Sequence, residues 1–565
     1  MVTRGLLRTA VALALTASSC APHLRRFPLA EPLARDDDMQ PVPRVATYRS
    51  SDAWDFADQT LFRRMGDATL LRQAREAIDV NALDEVPDSS WFTNRLGAHD
   101  FTPEEITQGS CDVPPLDATQ TWSVVSAKPN GFNPGFIVRA PDGHRYVLKA
   151  DGVRQTELAT AADAVASRIY YALGYFTPCN RVVTFDRRII AISPGAHAAD
   201  DHGRQRPIGP EVIDHVLAQA TRLADGRYRM AASRFLDGET LGPFTYQGIR
   251  EDDANDVVPH EERRELRAGR LVAAWLNHYD TREQNTMTTW VAESGERRGY
   301  VRHYMLDFGD AFGAAWPWDD LTARSGHAYV FDPGIFAADF VSFGGIVRPW
   351  DRARIHADAW VFTYYEAEDF DPEAWRGITP NPAFLRMTEH DAAWMARRIA
   401  RFDDRLVHAA VETGAFTHPE WSGYLENVLR ERRRRILERY LSRLSPLDDV
   451  SIAGDRICAV DLARRSGFHF GQRRTFSVFG GERLDARIES ALASESGDRI
   501  CTPAIPRSNA LAGLRDDDPR RYVVVDLAGA ARTGAPLRVH FYDLDARGLR
   551  LVGIERPDRA DAPRL

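Results

Sequence analysis

Apolar and polar residues alternate in short runs between residues 119 and 236, a pattern typical of β-strands. The runs predict strands at 121–128, 135–140, 144–150, 181–185, 189–192 and 228–235. An alanine-rich stretch from Thr156 to Leu173 has helical periodicity instead and stops at Gly174. We therefore predict a β-rich lobe that contains one long helix.

The pattern becomes helical between residues 237 and 445, apart from a predicted hairpin at 286–306. Thr388 opens one helix in the manner of a capping box, and residues 421–444 predict another with one continuous apolar side. This region is expected to be a helical lobe that follows the β-rich one.

Alternation returns beyond Pro446, in segments such as 522–527 and 537–542, and predicts a small β domain. The expected fold class is α+β, with two lobes flanked by additional segments. The expected parts are a signal peptide at 1–20, a linker at 21–45, an N-terminal extension at 46–118, a β-rich N-lobe at 119–236, a helical C-lobe at 237–445 and a C-terminal β domain at 446–565.

The first twenty residues have the pattern of an export signal. Arg4 and Arg8 precede the apolar run 9–17, which is too short to span a bilayer and is followed by small residues and Cys20. This ending resembles a bacterial lipobox, which implies acylation of Cys20 and a lipid anchor in the cell envelope, facing the periplasm or the cell surface. The alternative is an ordinary secretory signal with a cysteine nearby. Either interpretation takes the protein out of the cytoplasm.

Composition narrows the class of protein without identifying it. At 565 residues the chain is long enough for roughly three to four domains, with 44% hydrophobic and 27% charged residues, close to a soluble average. The net charge of −9 argues against a general nucleic-acid binder. Segments typical of serine hydrolases, zinc proteases and Walker-loop nucleotide enzymes are absent from the sequence.

The cysteines other than Cys20 allow two disulfides in an exported protein. Cys458 and Cys501 each end the same pentapeptide, Gly-Asp-Arg-Ile-Cys. We predict that these two pair with each other, which leaves Cys111 to pair with Cys179.

Candidate chemistry is concentrated in residues whose order along the chain suits phosphoryl transfer. Lys149 ends a predicted strand and supplies a cation for phosphates, and Glu157 near the next helix is expected to pair with it. Asp280 is the candidate base, and Asn285 and Asp307 offer hard oxygen ligands for magnesium. Phosphoryl transfer requires groups that hold the phosphates, bind the metal and orient the acceptor hydroxyl, and the sequence offers a candidate residue for each.

The segments Asp280-Thr281-Arg282-Glu283-Gln284-Asn285 and Asp307-Phe308-Gly309, separated by a predicted hairpin, resemble the protein-kinase-like superfamily. The resemblance is to its atypical branches, which include HipA-like, phosphatidylinositol-kinase-like and CotH-like members, and covers about residues 120–445. It implies a two-lobed fold with ATP and Mg²⁺ in the cleft. It also implies roles in nucleotide or metal binding for Lys149, Glu157, Asn285 and Asp307, and for Gly131 and Gly135 in the loop before the second strand.

Three functions fit these features. The first is an exported phosphotransferase that uses Mg-ATP to modify a hydroxyl group of a protein, glycan or lipid. The second is a relative that transfers AMP. The third is a catalytically inactive, kinase-like binding protein of the envelope, which the scarcity of ATP outside the cytoplasm favours.

Overall fold

The computed structural model of the chain describes most residues between 25 and 558. The described residues are 25–49, 51–63, 75–128, 133–199, 204–292, 296–316, 318–468, 474–480, 484, 486–505, 507, 511–529 and 535–558. The predicted signal peptide with Cys20 and the loop residue Gly131 lie outside them. Within these ranges, no helix combines the length and the apolar character that crossing a membrane requires.

The chain is α+β, as predicted. Its described strands are β1 Val42–Pro43, β2 Trp122–Ala127, β3 Gly135–Arg139, β4 Arg145–Lys149, β5 Asn180–Phe185, β6 Ile190–Ala199, β7 Gln205–Pro207, β8 Thr221–Arg222, β9 Tyr228–Arg234, β10 Glu239–Gly242, β11 Thr286–Val291, β12 Arg298–Met305, β13 Leu447–Ala453, β14 Arg456–Asp461, β15 Arg474–Gly480, β16 Ala486–Leu492, β17 Ser494–Ser496, β18 Arg499–Cys501, β19 Tyr522–Gly529, β20 Leu537–Asp543 and β21 Leu549–Glu555. The described α-helices are α1 Asp52–Ala57, α2 Pro103–Gln108, α3 Leu158–Ala172, α4 Pro210–Leu217, α5 Arg264–Leu276, α6 Asp319–Arg324, α7 Pro333–Ser342, α8 Pro349–Arg352, α9 Glu389–Ala400, α10 Asp404–Glu412, α11 Pro419–Tyr440 and α12 Leu462–Arg465.

The predicted strands between 121 and 235 form one sheet in the order β5-β9-β4-β3-β2-β6-β7, with β8 paired to β9. One face buries Trp122, Phe136 and Leu148 in a common core. Gly135 lies where β3 meets β4, and a Cβ there would come 2.1 Å from the carbonyl oxygen of Leu148. Strand packing alone therefore requires a glycine at this position.

Helices α5, α9, α10, α11 and α12 share a second core with α3. Trp275 on α5, Trp394 on α9 and Leu429 on α11 are fully buried in it. Thr388 begins α9 with the predicted capping box, in which its side chain accepts from the backbone N–H of Asp391. The β11–β12 hairpin lies beside this core and leads directly to Asp307.

The C-terminal β region contains two sheets, β13-β14-β18-β17 and β16-β15-β19-β20-β21. Ile457 and Ile500 of the first pack in one core with Val525 and Val539 of the second. The sheets are thus joined through a shared apolar interior.

Both predicted disulfides are confirmed. Cys458 and Cys501 are directly opposite each other on β14 and β18, and Cys111 bonds to Cys179 just before β5. We expect the double variant Cys458→Ser/Cys501→Ser to lose about 2–5 kcal/mol of folding free energy, because the bond closes a long loop in the unfolded chain. Denaturant unfolding monitored by circular dichroism measures the loss, and unchanged stability would contradict it.

The segment expected to be a linker makes extensive contacts where the structure describes it. The Phe27 ring is buried against the C-terminal sheet, and its backbone N–H donates to the Tyr522 hydroxyl over 2.8 Å. Farther along, Val42 and Pro43 pair with Gly299 and Arg298 of β12. Residues 25–45 are therefore packed against both the hairpin and the C-terminal β region, which differs from the solvated tether that their Pro, Arg and Asp content suggested.

His303 on β12 gives the fold a pH dependence. Its ring stacks on Trp91 with centroids 3.3 Å apart, and burial lowers the pKa of His303 well below its ordinary value. The unfolded chain takes up a proton here below about pH 6.5 and the folded chain does not, so stability falls by up to about 1.4 kcal/mol per pH unit as the pH drops below that value.

We expect His303→Gln to remove part of this slope in urea titrations between pH 7 and pH 5. The matched control is His215→Gln at an exposed position. An identical slope in the His303 variant and the unaltered chain would contradict the assignment.

Candidate functional site

Lys149 is fixed in the interior at the end of β4. Its Nζ lies 2.5 Å from Asp163 Oδ2 on α3 and 2.9 Å from Asp307 Oδ1, which follows the β11–β12 hairpin. Burial by itself would lower the pKa of Lys149, but the two carboxylates outweigh it and hold that pKa above the ordinary value. The Lys149 side chain is therefore a permanent cation that links Asp163 on α3 to Asp307 after the hairpin.

The predicted partnership of Lys149 with Glu157 is wrong. Glu157 immediately precedes α3 with a φ of 62°, and its carboxylate accepts from the backbone N–H of Thr417 at 2.8 Å and from the Thr417 hydroxyl. Asp163, within the helix, takes the place expected for Glu157. Its other oxygen accepts from the backbone N–H of Phe308 at 3.0 Å, so Asp163 also fixes the chain beside Asp307.

The loop that carries Asp280 is held rigidly on both sides. Asn277 ends α5 in the left-handed conformation with a φ of 48°, and its side-chain oxygen accepts from the Trp375 indole at 2.9 Å. The buried Tyr279 donates its hydroxyl to the carbonyl of Ala328 at 2.8 Å. Tyr279 thus anchors the loop to the segment that follows the cleft.

Asp280 faces the cleft with both carboxylate oxygens bound by one side chain. Arg282 donates from Nε to Oδ1 at 2.5 Å and from an Nη to Oδ2 at 2.8 Å. The backbone N–H of Asp280 donates to Asp310 Oδ2 at 2.6 Å. This bidentate ion pair was not anticipated from the sequence, although Arg282 is in the motif that suggested the site.

Asn285 and Asp307 each offer an oxygen ligand in the cleft. The Asn285 amide nitrogen donates to the carbonyl of Asp280 at 2.6 Å, so its oxygen is the atom available as a ligand. Asp307 has a φ of 52°, and its side chain is 46% exposed to the cleft. The charge of Lys149 holds the pKa of Asp307 well below its ordinary value, so the carboxylate is ionised.

A buried polar cluster supports the loop from behind. His278 Nδ1 lies 3.0 Å from the Tyr170 hydroxyl, and His278 Nε2 lies 3.4 Å from Asp310 Oδ1. Burial lowers the pKa of His278 to about 4 and raises the pKa of Asp310 well above its usual range. The imidazole is therefore neutral at pH 7 and acts as a positioning group.

The predicted residues Lys149, Asp280, Asn285 and Asp307 all line one cleft, with about 730 Å³ of empty space that includes its solvent-open part. Additional lining residues that the sequence did not single out are Lys128, Asn133, Gln155, Asp163, Arg282, Gly309, Asp310, Ala314, Ala315 and Trp316. Glu157 and Gly135 are not among the lining residues. Asp163 is the only acidic residue of α3, which marks it as unusual in the sequence but does not indicate its partner.

The donor set suits a divalent cation and a polyphosphate. Asn285 and Asp307 offer the amide and carboxylate oxygens that Mg²⁺ prefers, and Lys149 and Lys128 offer ammonium groups on the same cleft. Burial lowers the pKa of Lys128, and the nearby Asp307 carboxylate offsets only part of that effect. Lys128 Nζ also donates a hydrogen bond to the carbonyl of Asn133 at 3.0 Å. Oxygen ligands beside fixed cations are what a metal-bound phosphate ester requires.

Comparisons with known proteins add little to this geometry. No protein-family model matches the chain, and no curated protein matches it. Among solved structures, the chain is similar to the crystal structure of the Golgi casein kinase with Mn/ADP bound, at 12% identity and a TM-score of 0.26, over 70% of this chain and 92% of that one. A TM-score of this size does not define a common fold.

Proposed function

We propose that the chain is a kinase-like phosphotransferase that uses Mg-ATP to modify a hydroxyl group of a protein, glycan or lipid. One observation carries the proposal. A single cleft is lined by a cation for the phosphates, a candidate base and two candidate metal ligands, although they are distant in sequence: Lys149, Asp280, Asn285 and Asp307. In this proposal the protein is exported and attached to the envelope through a lipid on Cys20. The two disulfides are compatible with an oxidising compartment.

The proposed roles follow from the position of each side chain. Asn285 and Asp307 would hold Mg²⁺, which neutralises charge on the phosphates and orients them when bound. Lys149, fixed by Asp163, would bind phosphate oxygens through a cation that cannot rotate away. Asp280 would accept the proton of the acceptor hydroxyl as the oxygen of that hydroxyl takes the phosphoryl group from ATP.

Arg282 must change partner for Asp280 to act as a base. Its guanidinium contacts both oxygens of Asp280, so it competes with an acceptor hydroxyl for the same carboxylate. Phosphate oxygens in the cleft would compete for the same guanidinium, because Arg282 also lines the cleft. Nucleotide binding would thereby free the base at the moment it is needed.

The test is incubation of the purified chain with ATP labelled at either the γ- or the α-phosphate. We expect release of γ-label to water or its transfer to the chain itself, dependent on magnesium and lost in Asp280→Asn. Incorporation of α-label would establish AMP transfer instead. Absence of both reactions, with nucleotide still bound, would leave the binding protein as the function.

The binding protein is a second candidate because one observation favours it. The Asp280–Arg282 ion pair, at 2.5 and 2.8 Å, would be retained permanently in a site that binds a ligand without chemistry. Arg282→Ala distinguishes the two. It should impair transfer if Arg282 moves to the phosphates, and it should leave ligand affinity unchanged if the ion pair is only structural.

A further inference from the structure

A strongly apolar and exposed segment follows, along the chain, the last residues that line the cleft. It covers residues 331–347, includes α7, and is called the apolar segment below. None of the ten residues of α7 is buried. The exposed large side chains of the segment are Phe331 38%, Phe336 50%, Phe340 84%, Val341 77%, Phe343 98%, Ile346 44% and Val347 61%. Isolated exposed apolar residues are ordinary, but a continuous set of this size indicates a binding surface.

The charged residues inside the apolar segment are already satisfied. Asp332 caps α7, with its Oδ1 accepting from the backbone N–H of Gly334 at 3.0 Å. Asp339 forms an ion pair with Arg348, just beyond the segment. A partner would therefore meet mainly apolar side chains on this stretch, since one carboxylate is paired with Arg348 and the other is bound to the start of α7.

Basic residues follow at one end. Arg352 and Arg354 are exposed, and within the part of the chain that the structure describes neither forms an ion pair. Trp350 lies between them and the segment, with Arg348 and Arg324 over its ring at 5.5 and 5.8 Å. Asp351, the acidic neighbour, is occupied as an acceptor from the backbone N–H of Arg348 at 2.8 Å.

We propose that the apolar segment and the adjoining Arg352 and Arg354 bind an anionic lipid surface. The exposed apolar side chains of the segment provide area that can be buried at the boundary between headgroups and acyl chains, and binding strength at that boundary increases with such area. Unpaired arginines at its edge complement lipid phosphates, and a tryptophan beside them is typical of membrane interfaces. Charge complementarity thus selects an anionic bilayer over a neutral one.

The position of the surface ties it to the cleft. Val330, the residue before the segment, donates its backbone N–H to the carbonyl of Ile378 at 2.8 Å, and Ile378 donates to the carbonyl of Tyr279, next to Asp280, at 2.8 Å. Lipid binding would hold the mouth of the cleft near the bilayer. The inference does not depend on phosphoryl transfer or on acylation of Cys20, so either can fail without affecting it.

The test places an environment-sensitive dye at the tip of the segment. In a Cys20→Ser background the remaining native cysteines are in disulfides, so Phe343→Cys gives one reactive thiol for an NBD label. Val257→Cys, 74% exposed on another loop, is the matched control. Vesicles of phosphatidylcholine with phosphatidylglycerol should raise and blue-shift NBD emission several-fold at position 343 and leave position 257 unchanged. Arg352→Gln/Arg354→Gln should weaken the response several-fold.

Three results would overturn the proposal. One is no response at position 343 to the vesicles with phosphatidylglycerol, or an equal response to vesicles of phosphatidylcholine alone. Another is an equal response at position 257, which would mean that the vesicles bind without using this surface. The third is an emission change at position 343 that grows with protein concentration in the absence of vesicles, which would assign the segment to contact with a second copy of the chain.

Discussion

We expect Asp307→Ala to lower magnesium-dependent nucleotide affinity by about a hundredfold, because it removes one of the two proposed magnesium ligands. The fold should survive. Asp307 is 46% exposed, and Lys149 keeps its second partner, Asp163, at 2.5 Å. The free energy of unfolding is therefore expected to change by no more than about 1 kcal/mol. Calorimetric titration measures the affinity, and denaturant unfolding measures the stability.

The matched control is Asp358→Ala, at an exposed position far along the chain from the site. It should leave both quantities unchanged. If Asp307→Ala binds Mg-ATP as tightly as the unaltered chain, Asp307 is not a metal ligand.

The second large effect concerns stability. Lys149→Met should destabilise the fold by about 3–5 kcal/mol, because it leaves the carboxylate of Asp163 buried without its countercharge. Asp163 is only 2% exposed, and burial raises its pKa even with Lys149 present. Replacing Asp163 as well, with Asn, should restore part of the loss, since the remaining buried amide carries no charge.

A double-mutant cycle makes this prediction specific. Lys149→Met and Asp163→Asn should show a coupling energy of at least about 1 kcal/mol, while Lys149→Met and Glu157→Gln should be additive within about 0.5 kcal/mol. Glu157 contacts Thr417 and not Lys149, so the second pair is the internal control. Strong coupling to Glu157 and none to Asp163 would mean that the side chains are arranged differently.

Much of the site could be predicted because its residues occupy ends of elements that the pattern of the sequence defines. Lys149 ends a strand with clear alternation, Asn285 precedes the hairpin, and Asp307 follows it. Strand β4, helix α3 and the β11–β12 hairpin all lie within a few residues of their predicted bounds. The ends of such elements can be predicted because buried side chains recur about every 2 residues along a strand and about every 3.6 residues along a helix.

The partners of those residues could not be predicted, because they depend on how elements pack. Glu157 is nearer to Lys149 in sequence, but it precedes α3 and turns to Thr417, while Asp163 lies a turn and a half farther along the buried side. Asp310 contacts the backbone of Asp280 across a separation of 30 residues. Neither contact has a local signal in the sequence.

Composition was misleading for residues 25–45. Proline, arginine and aspartate usually indicate a solvated linker, and no periodicity marks Phe27 as a buried residue. The Phe27 ring packs against the C-terminal sheet at Gly553, which has no side chain. A Cβ at that position would lie only 2.2 Å from the Phe27 ring. Only the tertiary structure brings these residues together.

Calorimetric titration of ATP into the intact chain, first with magnesium and then with a chelator in its place, tests whether the cleft binds a nucleotide through a metal ion. We predict saturable one-site binding that requires magnesium, since Asn285 and Asp307 would hold the phosphates only through the metal. No heat of binding up to millimolar ATP, or equal binding with and without magnesium, would contradict it.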